Sequence, residues 1–280
     1  MYKRLGRYFP IFMMPILTAF IIAFAVPFLM GLYLSFCDFT TVTDARLTGL
    51  SNYKEAFGDD FTHALWYTAL FSAASVITVN LFAFVLALLL TKGLKGTNIF
   101  RTVFFMPNLI GGIVLGYIWQ IIINGILRYR GVDITYSEAY GFFGLLVLTN
   151  WQLIGYMMII YVAGLQNIPN ELREAAAIDG ASRSMELRHI TIPLIMPSIT
   201  VCTFLTLTNT FKLFDQNLAL TAGAPDRLSS LLALDIYNTF YASVGSEGVG
   251  QAKAVIFTVI LAFIALLQLH VTARRERGNE

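Results

Sequence analysis

The apolar residues of this chain fall into long unbroken runs, not into the spaced stripes of a soluble amphipathic helix. Tyr8 to Cys37, Leu65 to Thr91, Thr102 to Leu127, Ala139 to Asn167, Thr191 to Phe211 and Ala254 to Val271 contain no Asp, Glu, Lys or Arg. Crossing a bilayer takes about 20 such residues in helix. The pattern therefore predicts an all-α integral membrane protein. Its six transmembrane helices cover approximately 9–36, 65–91, 102–126, 142–167, 191–214 and 254–272, within one membrane domain spanning 1–280. Pro15 and Pro27 sit inside the first run, where a membrane helix tolerates them. Ala23-Phe24-Ala25 has the form of a signal-cleavage site, but apolar residues continue to Met30, which favours an uncleaved span. Asn80, inside the second run, is expected to face other helices, because an unpaired amide in hydrocarbon is costly.

The segment 168–190 breaks this pattern with both helix and turn signals. Pro169 fits a first helical turn, where its missing N–H has no intrahelical partner. Glu171 and Glu174 suit the positive end of a helix. Ala175, Ala176 and Ala177 favour helix and add almost no bulk. Gly180 supplies a left-handed stop, and Ser182 can cap a second short helix running toward Pro193. The expectation is a helix–Gly–helix elbow with a small-residue face.

Composition excludes the ordinary soluble classes: 57% of residues are hydrophobic and 13% charged. A net charge of +2 gives no reason to expect nucleic acid. The placement of the basic residues is more informative than their sum. Six spans put both ends on one side, and that side collects Lys3, Arg4, Arg7, Lys92, Lys95, Arg101, Arg173, Arg183, Arg188, Arg274, Arg275 and Arg277. The positive-inside bias makes it the cytoplasm, so both termini and the elbow are cytoplasmic, in a bacterial plasma membrane. Cys37, Cys202 and the three histidines have no metal-ligand spacing.

Glu174-Ala175-Ala176, Asp179-Gly180-Ala181, Ile190, Ile192-Pro193 and Pro197 resemble the EAA loop of ABC importer permeases. The likeness extends over most of the chain and is nearest to the carbohydrate-type permeases, on the maltose-permease-like side of their heterodimers. Gly49-Leu50-Ser51-Asn52-Tyr53 resembles their external loop, and Thr221-Ala222-Gly223-Ala224-Pro225 their Thr-x-Gly-Gly-Pro turn, with Ala224 in place of the second Gly. The resemblance implies the type I importer permease fold. It also implies that 168–190 is the coupling loop, docking through Glu174, Ala175, Ala176, Asp179, Gly180, Ala181 and Leu187 on an ATPase subunit. The partners it implies are a second homologous permease, two ATPase subunits that bind ATP and magnesium, an extracellular solute-binding protein and a carbohydrate, with the bilayer around the spans.

The chain's own chemistry is consistent with an outside energy source. It has no GxxxxGK[ST] phosphate loop, no HExxH and no GxSxG, so neither bound ATP nor another cofactor is expected, nor catalysis. The first four spans hold no Asp, Glu, Lys or Arg in their interiors, which weighs against an ion-coupled carrier. Polar and aromatic groups within spans are candidates for the substrate path. Gln152 and Tyr156 lie in the fourth, and Thr206, Asn209, Thr210 and Lys212 in or beside the fifth. Amides, hydroxyls and aromatic rings suit a sugar. Thr and Asn within spans also join helices to one another, and Lys212 can snorkel to the interface. Two other readings stay open: the same machinery serving glycerol 3-phosphate or another polar solute, and a secondary carrier that works without an ATPase.

Overall fold

The computed structural model describes residues 13–93, 95–242 and 245–277, with backbone alone at 242, 269 and 271–277. Lys3, Arg4, Arg7 and the expected start of the first span lie outside the described residues, as do the side chains of Arg274, Arg275 and Arg277. The helices in chain order are α1 Met13–Leu34, α2 Ser51–Ala56, α3 Asp59–Leu90, α4 Thr97–Phe105, α5 Gly112–Leu127 and α6 Glu138–Gln166. They continue with α7 Asn170–Ile178, α8 Arg183–Leu194, α9 Met196–Phe211, α10 Asp215–Leu220, α11 Leu232–Ala242 and α12 Glu247–Arg277. Among the described residues, five helices are long and apolar enough to cross a bilayer, and α8 with α9 makes a sixth if that bent pair counts as one span.

The residues group into two compact units. One comprises residues up to Phe61 together with Ile236–Ile260. Here β1 Cys37–Asp38 pairs antiparallel with β2 Arg46–Leu47, small ordered structure that the polar composition of this loop did not announce. Buried Asn52 donates to the carbonyls of Ser35 (3.1 Å) and Cys37 (2.8 Å), tying α2 to the end of α1. Lys253 lies inside α12 and is buried. Its ammonium donates to Thr239 Oγ1 at 2.9 Å and lies 5.5 Å from the centroid of the Phe61 ring, a cation–π distance.

The other unit comprises Thr62–Asp235 and the chain from Leu261 on. Small residues Ala83 and Ala87 of α3 let it approach Met157, Tyr161 and Leu165 of α6, and Cys202 of α9 closes that core. Asn80 does face other helices. Its Oδ1 accepts from Tyr161 Oη at 2.8 Å, and its Nδ2 donates to Val76 O at 2.8 Å and lies 3.4 Å from Thr206 Oγ1. A second core gathers Tyr67 and Phe71 of α3, Leu115 of α5, Leu145 and Leu148 of α6, and Leu220 of α10.

Two expected spans are corrected. The third is not one helix over 102–126. Pro107 offers no N–H, and the backbone turns extended at Ile110 (ψ 132°) and Gly111 (ψ 141°). The run divides into amphipathic α4, a 3-10 turn at Met106–Leu109 and membrane-spanning α5. The fifth is not continuous over 191–214. α8 carries the elbow's second arm to Leu194 and meets α9 at 69°, and α9 ends at Phe211. Pro193 and Pro197 withhold N–H groups on both sides of that bend. The sequence after Phe211 folds back as α10 onto α5. The contact requires Gly112 and Gly116. A Cβ on Gly112 would lie 2.6 Å from Asp215 Cβ, and one on Gly116 2.5 Å from Ala219 Cβ. This Gly-x-x-x-Gly serves a close helix crossing within one chain.

Candidate functional site

A cavity of about 520 Å³ opens where α6, α9, the Met106–Leu109 turn and the start of α10 converge. The break at Pro107 places Asn108 on its wall instead of burying it in a helix, and Gln152 and Tyr156 enter from α6. Asn209 and Lys212 come from the end of α9, and Phe214, Asp215 and Gln216 from the fold-back into α10. Gln216 Nε2 donates to Gln152 Oε1 at 2.8 Å, and both residues are 9% exposed, so each amide fixes the other's orientation. The Phe105 ring meets Tyr156 edge-on at 6.3 Å and positions it.

One ammonium and one carboxylate, Lys212 and Asp215, line the cavity with four amides and the Tyr156 phenol. That wall can exchange many hydrogen bonds with a polyhydroxylated ligand and offers it no net side-chain charge. Of the six path candidates, the cavity brings together Gln152, Tyr156, Asn209 and Lys212. It does not bring in Thr206 or Thr210, which are fully buried. Their hydroxyls donate along their own helix, to Cys202 O (2.8 Å) and Thr206 O (2.9 Å). Sequence reasoning missed Asn108, Asp215 and Gln216 as lining residues. Pro107 beside Asn108 was the available signal for the first.

The elbow forms as its residues direct. Ala181 N donates to Ala176 O at 2.9 Å and Gly180 N to Ala177 O at 3.2 Å, the paired bonds of a Schellman cap. Gly180 supplies the left-handed residue that this cap needs, at φ +75°. Ser182 Oγ accepts from Met185 N at 3.3 Å and caps α8. Pro169 stands one place before the helix, at the cap position of α7. The small face divides: Glu174, Ala175, Asp179 and Gly180 are exposed, Ala181 is half-buried, and Ala176 is buried. Leu187 is half-buried in a second cavity shared with Leu88 and Thr91, so the outward apolar contacts come from elsewhere. Ile178 is 87% exposed, with Leu172 and Met185 also outward. Three large apolar side chains thus stand outward on an otherwise polar loop.

Comparison with known proteins adds four findings. A family described as "Binding-protein-dependent transport system inner membrane component" matches residues 80–277. The chain is 40% identical, over 97% of its length and 96% of the relative's, to the "Probable starch degradation products transport system permease protein AmyD" of Thermoanaerobacterium thermosulfurigenes. It is 28% identical, over 91% of its length and 92% of the relative's, to the "Multiple sugar-binding transport system permease protein MsmF" of Streptococcus mutans. In fold it is similar to a chain of a bacterial ABC transporter involved in importing the acidic polysaccharide alginate, with a TM-score of 0.81, 20% identity and 98% of each chain covered.

Proposed function

This chain belongs to the inner membrane components of binding-protein-dependent transport systems, and from that premise we propose that it passes an oligosaccharide through the cavity between α6, α9 and α10. It is a membrane subunit of an ABC importer and not itself an enzyme. The observation that carries the substrate reading is the wall of the cavity: Asn108, Gln152, Asn209 and Gln216 supply paired donors and acceptors, and Tyr156 an aromatic face. Asp215 beside Lys212 disfavours a phosphate, whose charge the carboxylate would repel, so a neutral sugar is preferred over glycerol 3-phosphate. The sugar cargo named for the two permease relatives supports the same reading.

In this reading the elbow sits in a cleft of a cytoplasmic ATPase subunit. Glu174 meets a basic group there, and Ile178, Leu172 and Met185 supply the buried apolar contact. ATP and magnesium stay on two such subunits. A second related permease completes the path, and an external binding protein delivers the sugar. Closure of the ATPases moves the elbows and switches the spans between outward- and inward-facing.

The test is uptake by the assembled importer in liposomes loaded with ATP, offering α-glucan oligosaccharides and glycerol 3-phosphate in parallel. Oligosaccharide uptake that stops without ATP is expected. Accumulation by this chain alone, or preference for the phosphate, defeats the proposal. Elbow docking is tested separately by co-purification. Wild type should retain ATPase subunits, and Glu174→Ala and Gly180→Asp should lose them. Equal retention by all three removes the elbow from coupling.

A further inference from the structure

At the opposite end of α3 from its acidic first turn, a cavity of about 440 Å³ is lined by Leu88, Thr91, Lys92, Arg173, Arg183, Glu186, Leu187 and Thr191. Three cations face a single carboxylate there. The only ion pair among them is long, with Arg173 Nε 3.8 Å from Glu186 Oε1. Arg173 Nη2 reaches Leu165 O at 3.5 Å, and its buried Nε makes no hydrogen bond. The protein has thus gathered guanidinium and ammonium groups whose charge its own residues satisfy poorly. Such a site favours an anion rich in oxygen acceptors, and guanidinium groups match phosphate especially well.

The neighbouring element indicates where that phosphate comes from. Just past Lys92, α4 (Thr97–Phe105) leaves Ile99, Phe100, Val103 and Phe104 exposed, with Met106 beyond its end. Lys95 precedes it and Arg101 lies within it. Phe104 and Phe105 at the end of this helix pack on Gly155 and Tyr156 within the spanning α6, so α4 rises along that span from the Lys92 end. Lys92, directly after the spanning α3, marks the level of the lipid headgroups beside the cavity. The cavity's apolar members, Leu88 and Leu187, suit the glycerol and upper acyl region of a lipid better than a soluble phosphate.

We propose that Lys92, Arg173 and Arg183 hold the phosphate of an anionic phospholipid against the joint between α3 and the elbow. The lipid would fill the space between the end of a span and the arm that carries the docking surface.

The probe is phosphatidylglycerol against phosphatidylcholine, read as lipid retained on the purified full-length chain by native mass spectrometry. Wild type is expected to retain phosphatidylglycerol preferentially. Lys92→Gln and Arg183→Gln should each reduce the preference about fivefold, the equivalent of about 1 kcal/mol per charge near the surface. Lys92→Arg should keep it, which separates loss of charge from loss of folding. Glycerol 3-phosphate in excess should not displace the lipid. No preference in wild type, or full preference in both Gln variants, overturns the proposal. Displacement by glycerol 3-phosphate overturns the lipid assignment in favour of a soluble phosphate.

Discussion

The packing of α10 on α5 supports a prediction whose size follows from the geometry. A methyl group on Gly116 would lie 2.5 Å from Ala219 Cβ and 3.2 Å from Gln216 O. Carbon atoms rest at about 3.5–4.0 Å, so Gly116→Ala requires α10 to retreat by about 1 Å. The same movement stretches the bond from Gln216 to Gln152, now 2.8 Å, beyond hydrogen-bonding range. Overpacking of this kind costs about 1–3 kcal/mol. Alanine gains up to about 1 kcal/mol over glycine in helix propensity, which only partly offsets it. Gly125 lies in the same helix with nothing within 4 Å of a Cβ, so Gly125→Ala keeps that gain without the clash. The two variants should therefore move the unfolding midpoint in opposite directions. Because the lost amide pair lines the cavity, Gly116→Ala should also raise the sugar concentration for half-maximal uptake by about tenfold, equivalent to about 1.4 kcal/mol. Thermal unfolding in detergent and concentration-dependent uptake by the assembled importer measure the two effects. If Gly116→Ala matches Gly125→Ala in both, α10 does not depend on the glycine contact and the reasoning fails.

Two further outcomes follow from individual contacts. Gln152→Leu should destabilise by about 1–3 kcal/mol, because it strands the buried Gln216 amide. Adding Gln216→Leu should restore stability but not uptake; recovery of both would show that the amides do not meet the sugar. In the loop that follows α1, Asp44 accepts from the backbone N–H groups of Thr41 (2.8 Å) and Thr40 (3.1 Å), and the Thr41 bond foremost holds its carboxyl below the usual range. A depressed folded-state pKa means the turn's added stability is present above the unfolded value and is lost as pH falls through the folded one. The protection factors of the Thr40 and Thr41 amides, with exchange rates corrected for the intrinsic pH dependence, should therefore fall on acidification in wild type and stay constant in Asp44→Ala.

What the sequence disclosed depended on how local the determining physics was. The apolar runs and the elbow are set within a few residues: Gly180 stops α7 because its backbone reaches φ +75°, and Ser182 caps α8 from three residues away. Asn80 could be assigned to a helix interface because hydrocarbon leaves an amide no alternative. The break of the third run was harder to read. Pro107 is compatible with a membrane helix, and only the extended backbone at Ile110 and Gly111 turns tolerance into a break. The fold-back of α10 depends on residues a hundred positions apart meeting at Gly112 and Gly116, which no local pattern records. Thr206 and Thr210 show a related limit. A hydroxyl in a span looks like a ligand contact, but both donate to their own helix and are buried. Lys253 was hidden for the opposite reason: its charge at the edge of an apolar run reads as a boundary, and the Phe61 ring it approaches lies far along the chain.

The bend at Ile195 sets a gear ratio. From its start at Arg183, α8 runs about 18 Å to that bend, at about 1.5 Å per residue. Treated as a crank pivoting there, it converts about 10° of rotation into about 3 Å of travel at the elbow end. The crank is not rigid throughout, since five of its residues, Leu187–Thr191, form a wider π-helical turn that can wind or unwind under torque. A push on the elbow is thus divided between torsion at that turn and rotation at the pivot. Stiffening the turn would send more of the stroke into α9, which carries Asn209.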